Sequence, residues 1–179
     1  MEKTNTTGLI HIYCGDGKGK TTTGMGLCAR AAGYGFRVII YQFMKDNSTS
    51  ERKTLGLSEN ITIVDGPAQT KFSFQMTPEE KKEQLLFNNH QFSAVTQRAC
   101  DEGYDVLFLD EAIYAIRAGL LDEAVVLSFL QNKPKHLEVL LTGQGPSQAL
   151  IDAADYVSEI RKIKHPFDAG LPARNGIER

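Results

Sequence analysis

The sequence predicts a three-layer α/β domain on a mostly parallel sheet of about six strands, and three observations carry that prediction. Short apolar segments alternate with helix-length segments along the whole chain. The apolar segments run nearly unbroken instead of alternating with polar residues, as strands covered on both faces require. With 179 residues and 41% hydrophobic content, the chain can bury one good core, and nothing in it suggests a second.

Leu9 to Cys14 is short, β-branched and bounded by glycine, which reads as a first strand, and Lys20 to Tyr34 then turns to helical spacing. Met25, Cys28, Ala29 and Ala32 fall on one face of that helix, with Arg30 off it. Arg37 to Met44 reads as a second strand and Ile61 to Val64 as a short third, with polar residues 45–60 between them. Thr77-Pro78-Glu79-Glu80 has the chemistry of a helix start, and the helix can run to about Gly103 with Leu85, Phe92, Val95 and Ala99 as its apolar stripe. Tyr104 to Leu109 is a fourth strand, Asp122 caps a helix ending near Asn132, and Leu137 to Leu141 is a fifth strand. Gly145-Pro146 opens another helix before a sixth strand from Tyr156 to Ile160. One domain therefore spans 1–179, with polar residues 1–7 expected as a disordered tail and the Pro/Gly-rich, aperiodic stretch 161–179 as an extended strap.

A formal net charge of −2 and the lack of a long basic run give a nucleic-acid surface no electrostatic support. No apolar stretch approaches membrane-spanning length, and Met1 to Thr7 is too polar for a signal peptide, so the expected location is the cytoplasm. Cys14, Cys28 and Cys100 are an odd, widely spaced set that suits reduced thiols, and the four histidines show no zinc spacing.

Chemistry is concentrated in Gly15-Asp16-Gly17-Lys18-Gly19-Lys20-Thr21-Thr22, between the first strand and the first helix. Glycines there let backbone N–H groups turn inward, the helix start adds partial positive charge, Lys20 adds a full one, and the Thr21 hydroxyl can hold Mg²⁺. These are the parts of a polyphosphate loop, and they make the domain P-loop NTPase-like, of the RecA-like kind. The loop is one residue tighter than usual, since Gly15 and Gly19 enclose three residues where four are customary. The fourth strand ends in Asp110-Glu111, and a parallel sheet brings those carboxylates to the edge that holds the loop, where they can order Mg²⁺ or orient a reacting group.

On these residues the chain resembles the P-loop type cob(I)alamin adenosyltransferases, from Gly8 to Ile177. Besides the compressed loop, the matching segments are Gln42-Phe43-Met44-Lys45, Glu51-Arg52, Leu109-Asp110-Glu111, Leu141-Thr142-Gly143, residues 155–160 and Lys164-His165-Pro166-Phe167-Asp168-Ala169-Gly170. The resemblance implies that a Co(I) corrinoid, cob(I)alamin or a related one, attacks C5′ of ATP and expels triphosphate, with ATP lying reversed relative to other phosphate-loop enzymes. It implies that Lys20 and Glu111 are catalytic, that Thr21, Glu111 and Asp110 hold Mg²⁺, and that Gly15, Asp16, Gly17, Lys18, Gly19 and Thr22 contact the nucleotide. Arg30 matches an arginine near the substrates. Phe72 and Phe74 match an aromatic pair that excludes the corrinoid's lower axial ligand and so eases reduction of Co(II). The family often has Trp at the position of Phe74. An electron donor such as a flavoprotein and a homodimer are further implications. Read without the resemblance, the same parts would also serve a kinase or NTPase acting on the γ-phosphate of ATP, or a nucleotide-dependent switch that docks a partner on Phe72 and Phe74.

Overall fold

The computed structural model describes residues 7–67, 71 and 73–178. Its sheet has six strands, all parallel: β1 Ile10–Cys14, β2 Val38–Gln42, β3 Ile61–Ile63, β4 Val106–Asp110, β5 Glu138–Thr142 and β6 Tyr156–Glu159. They lie side by side as β3-β2-β4-β5-β1-β6. All six occur where the sequence predicts them, with ends that differ by one or two residues; β4 and β5 each run one residue further, to Asp110 and Thr142.

Period-2 geometry divides each central strand between two cores. Val38, Ile40, Val106, Phe108 and Leu140 face α1 (Lys20–Tyr34), whose Met25, Cys28, Ala31 and Ala32 meet them. Ile39, Tyr41, Leu107, Leu109, Val139 and Leu141 face the opposite layer. That layer consists of α3 (Pro78–Asp101), α4 (Ala112–Arg117), α5 (Glu123–Asn132) and α6 (Gln148–Ala153), following the short α2 (Glu51–Leu55). A helix layer on each face explains why β2 and β4 are buried at every position. β6, at the edge, is exposed at every position.

Local chemistry accounts for the helix starts. Thr77 and Glu80 form a reciprocal capping box on α3, with Pro78 at its first position, and Asp122 and Ser147 cap α5 and α6. Three details differ from the sequence reading. On α1 the buried face holds Gly24 and Ala31, while Ala29 is exposed, because a residue directly after buried Cys28 is rotated by about 100°. On α3 Leu85 is half-buried and the buried stripe includes Asn88, whose amide donates to Leu120 O at 2.7 Å and accepts from Gln84 at 2.9 Å. The short helices α2 and α4 have no counterpart in the sequence reading; five and six residues are too few for a helical period to register.

Of the segment expected as a disordered tail, residues 1–6 lie outside the described residues, and Thr7 donates its hydroxyl to His136 O at 2.8 Å. The segment expected as an extended strap carries a 3-10 turn over Pro166–Ala169, with His165 Nδ1 accepting from Phe167 N–H at 3.1 Å.

Candidate active site

Register places the site. β4 lies between β2 and β5, so Gln42, Asp110 and Thr142, the polar last residues of three apolar strands, arrive together at the C-terminal edge. Tyr13 on β1 pairs with Thr142, which brings the exit of β1 and its glycine loop to the same edge. Such an edge, where adjacent loops diverge, is where open α/β sheets bind ligands.

Asp110 is fully buried and accepts four hydrogen bonds. Thr21 Oγ1 at 2.9 Å and Thr142 Oγ1 at 2.6 Å donate to Oδ1; Gln42 Nε2 at 3.0 Å and Lys45 Nζ at 2.7 Å donate to Oδ2. Burial alone pushes this carboxyl up, but the Lys45 ammonium and the donated hydrogen bonds outweigh it and hold the group below the usual carboxylate range. Thr49 in turn fixes Gln42 by donating to Oε1 at 3.1 Å, and Thr142 Oγ1 accepts from the Glu111 N–H at 2.9 Å.

Glu111 begins α4 with φ 58, a left-handed conformation uncommon outside glycine. That turn carries its carboxylate out of the sheet and into a cleft of about 460 Å³, lined also by Lys20, Met44, Lys45, Lys71 and Tyr114. Burial pushes the Glu111 carboxyl above its ordinary range, and the charge on Asp110 adds to this against the pull of Lys45 and Lys20. The two adjacent acids therefore differ in kind: Asp110 is a saturated anchor, and Glu111 faces the ligand space.

The loop is held from its outer side. Gly17 N–H donates to Ile160 O at 2.8 Å, and Asp16 Oδ1 accepts from Lys162 N–H at 2.8 Å, a bond that lowers the pKa of Asp16. A Cβ on Gly15 would stand 2.3 Å from Ile160 O, so only glycine permits this approach. Lys20 Nζ donates to Gly17 O at 2.9 Å, across the loop.

The structure thus brings Lys20, Thr21, Asp110 and Glu111 to one place. Lys18 and Thr22 are exposed beside it, Gly19 caps α1 in a left-handed conformation, and Asp16 is engaged by the strap. Arg30 is exposed ten residues along α1, about 15 Å from Lys20 by helical rise, and is not among the described residues lining the cleft. Phe74 lies in a 3-10 turn over Ser73–Gln75, 77% exposed, next to Ser73, which lines the cleft and shares a 2.9 Å hydrogen bond with Tyr114 Oη. Phe72 lies outside the described residues. Gln42, Lys45, Thr142 and Lys71 are members of the site to which the sequence reading gives no role. A polar residue closing a fully apolar strand is the signal that marks Gln42 and Thr142.

The oxygen donors suit Mg²⁺. Thr21 Oγ1 and the Glu111 carboxylate are hard oxygen donors at one sheet edge, with the Asp110 carboxylate beside them held by its four hydrogen-bond donors, and Mg²⁺ in general takes much of its shell from phosphate and water instead of a protein cage. Among the described residues no group of three or more acidic, His or Cys side chains is placed to hold a metal ion.

Fold and site together define a phosphate-loop nucleotide-binding protein of the RecA-like class. A KaiC-like protein from Pyrococcus horikoshii superposes with a TM-score of 0.53 over 97% of this chain and 77% of its own, at 17% identity. ATPases 2 and 3 of EssC from Geobacillus thermodenitrificans give 0.51 over 94% of this chain and 35% of theirs, at 15% identity; both likenesses concern the fold alone. The profile of the family described as ATP:corrinoid adenosyltransferase BtuR/CobO/CobP matches residues 6–179, and the chain belongs to that family. The corrinoid adenosyltransferase CobA of Salmonella typhimurium is 33% identical over 171 residues, 96% of this chain and 85% of the relative. The corrinoid adenosyltransferases of a Sinorhizobium species and of Escherichia coli K12 are 31% and 30% identical, over 98% and 96% of this chain and 82% and 85% of theirs.

Proposed function

We propose that this enzyme transfers the 5′-deoxyadenosyl group of ATP to the cobalt of a Co(I) corrinoid by direct displacement. The cobalt electron pair forms the Co–C5′ bond, the C5′–O5′ bond breaks, and its electron pair leaves on inorganic triphosphate. The observation that carries the reading is the convergence of Lys20, Lys45 and Lys71 on one cleft beside the glycine loop. The departing group is the whole phosphate chain, so negative charge develops along its length, and fixed cations and N–H dipoles stabilise it there.

Lys20 is the loop cation nearest that charge, and Thr21, Asp110 and Glu111 are the donors for Mg²⁺. When bound, Mg²⁺ supplies further charge neutralisation to the triphosphate. Thr22, Lys18 and the N–H groups of the loop complete the phosphate contacts. Phe74, with Phe72, offers the corrinoid an apolar wall that favours loss of the lower axial ligand. By family resemblance the reading extends to a cytoplasmic homodimer supplied with electrons by a donor such as a flavoprotein. No helix among the described residues is long and apolar enough to cross a membrane.

Family membership favours adenosyl transfer over attack at the γ-phosphate. An anaerobic reaction with ATP, Mg²⁺ and chemically reduced cobalamin tests it: the corrinoid spectrum should change to that of a cobalt alkyl while triphosphate accumulates. ADP and an unchanged corrinoid spectrum would refute it.

A further inference from the structure

Among the described residues Asp110 is the carboxylate with no exposure at all. A buried carboxylate stays ionised only beside a cation and a full set of donors. Lys20 is not among the donors to Asp110; its ammonium donates to Gly17 O. The cation is Lys45, whose Nζ lies 2.7 Å from Asp110 Oδ2 and 3.0 Å from Thr21 Oγ1.

The direction of these bonds matters. Thr21 gives its hydroxyl proton to Asp110 Oδ1, and the Lys45 ammonium takes one of the two lone pairs of Thr21 Oγ1, on the oxygen a metal ion would approach. It also takes an oxygen of Asp110. Two positive charges a few ångströms apart repel, the more so beside a carboxylate with no exposure, so Lys45 as placed and a divalent cation on Thr21 and Asp110 exclude each other.

The backbone sets Lys45 at the edge of the cleft, within reach of a ligand there. Met44, directly before it, has φ 56, an uncommon conformation for a long unbranched side chain that turns the exit of β2 toward the cleft. Lys45 consequently lines that cleft with Lys20 and Lys71, and its side chain is 24% exposed there. Its four-carbon stem and three rotatable donors let the ammonium change partners without moving the chain.

We propose that Lys45 and the divalent cation exchange places. The Lys45 ammonium keeps Thr21 and Asp110 together before the cation enters, then yields that position and swings into the cleft to bind the substrate's triphosphate. Lys45 is a positioning residue in the first arrangement and a triphosphate ligand in the second. This inference rests on the reading of Thr21 and Asp110 as cation donors.

The test compares the native chain with Lys45→Met in two titrations. Mn²⁺ alone, followed by its paramagnetic resonance signal, should bind the variant at least about tenfold more tightly, because no ammonium has to be displaced. Inorganic triphosphate at saturating Mn²⁺ should bind it at least about tenfold more weakly, because a cationic ligand is gone. A purely structural role for Lys45 would weaken both, so Mn²⁺ affinity that is unchanged or reduced, or triphosphate affinity that is unchanged, overturns the exchange. Lys45→Gln, which keeps a donor for Asp110, should shift both affinities in the same directions and guards against a folding failure of Lys45→Met. Thr21→Val separates the two levels of the argument. If it leaves Mn²⁺ binding intact, the cation site itself is misplaced and both fall; if it abolishes binding while Lys45→Met has no effect, only the exchange falls.

Discussion

Gly17 N–H donates to Ile160 O at 2.8 Å, which fastens the phosphate loop to the residue that follows β6. One of the loop's N–H groups is thereby turned away from the ligand, and with one residue fewer than usual the loop has less slack to recover it. A Cβ on Gly17 would stand 2.8 Å from both Ile160 O and Arg161 C, both backbone atoms that cannot step aside as a side chain could. Gly17→Ala should therefore displace the loop and lower kcat/KM for ATP on the order of 10²-fold, the usual result of misplacing reacting groups by about 1 Å. Steady-state kinetics on the folded variant would show it, and native values would separate the Ile160 contact from catalysis.

Lys20 makes one side-chain hydrogen bond, to Gly17 O, and is only half-buried, so its loss removes little that holds the fold. Lys20→Ala should leave the melting temperature close to native while turnover falls about 10²–10³-fold, the scale for a lost donor at developing charge. Unchanged turnover in a folded variant would remove this lysine from the mechanism.

Glu111, a proposed Mg²⁺ donor, is a half-buried acid whose ionisation opposes stability. Its folded pKa is raised, so between the ordinary glutamate value of about 4.3 and the folded value the native state binds more protons than the unfolded chain. Stability contributed through Glu111 is therefore highest at low pH and declines as pH rises across that window. Glu111→Gln should stabilise the protein at pH 7–8 by about 1 kcal/mol, with the gain vanishing near pH 4, while activity drops about 10–100-fold. Thermal melts of both proteins across pH would decide; a variant less stable at pH 8 contradicts the sign.

Gly24 lets α1 lie against β4. A Cβ there would come within 2.3 Å of Phe108 Cζ, and Phe108 is fully buried. Alanine gains about 1 kcal/mol of helix propensity over glycine, but overpacking a filled core by this much costs about 1–3 kcal/mol, and the clash should win. Gly24→Ala is expected to lower the melting temperature by several degrees. Phe108→Leu should shrink that loss, since each change removes the other's conflict, and strict additivity in the double-mutant cycle would show that the two residues do not compete for space.

These residues also show what was legible in the sequence. The loop, the Asp110-Glu111 strand end and all six strands are written locally: glycine and lysine at fixed spacing, apolar runs between turn residues. The donor set of Asp110 is not local. Gln42, Lys45 and Thr142 meet it because β2 and β5 flank β4, a strand order that no single segment encodes. Asn88 stayed hidden because a polar residue breaks an apolar stripe even when a buried carbonyl satisfies it. Arg30 shows the converse limit, since its match to a family position says nothing of the distance along α1 that separates it from Lys20.

Phe74 permits a test in which stability and function come apart. At 77% exposure its ring contributes little to the core, and Phe74→Ala should change stability by no more than about 0.5 kcal/mol. Its turn is nevertheless fixed beside the cleft, because Ser73, which lines it, is hydrogen bonded to Tyr114. In the proposed role, an apolar wall there would act before alkyl transfer, by disfavouring the lower axial ligand and easing reduction of Co(II). Once cobalt is already Co(I), that assistance has no step left to act on. Assayed with Co(II) corrinoid and a reductant, Phe74→Ala should lose about tenfold or more in turnover; with chemically pre-reduced Co(I) the loss should stay below about threefold. Equal losses with the two substrates would place Phe74 in corrinoid binding alone and remove it from the reduction step.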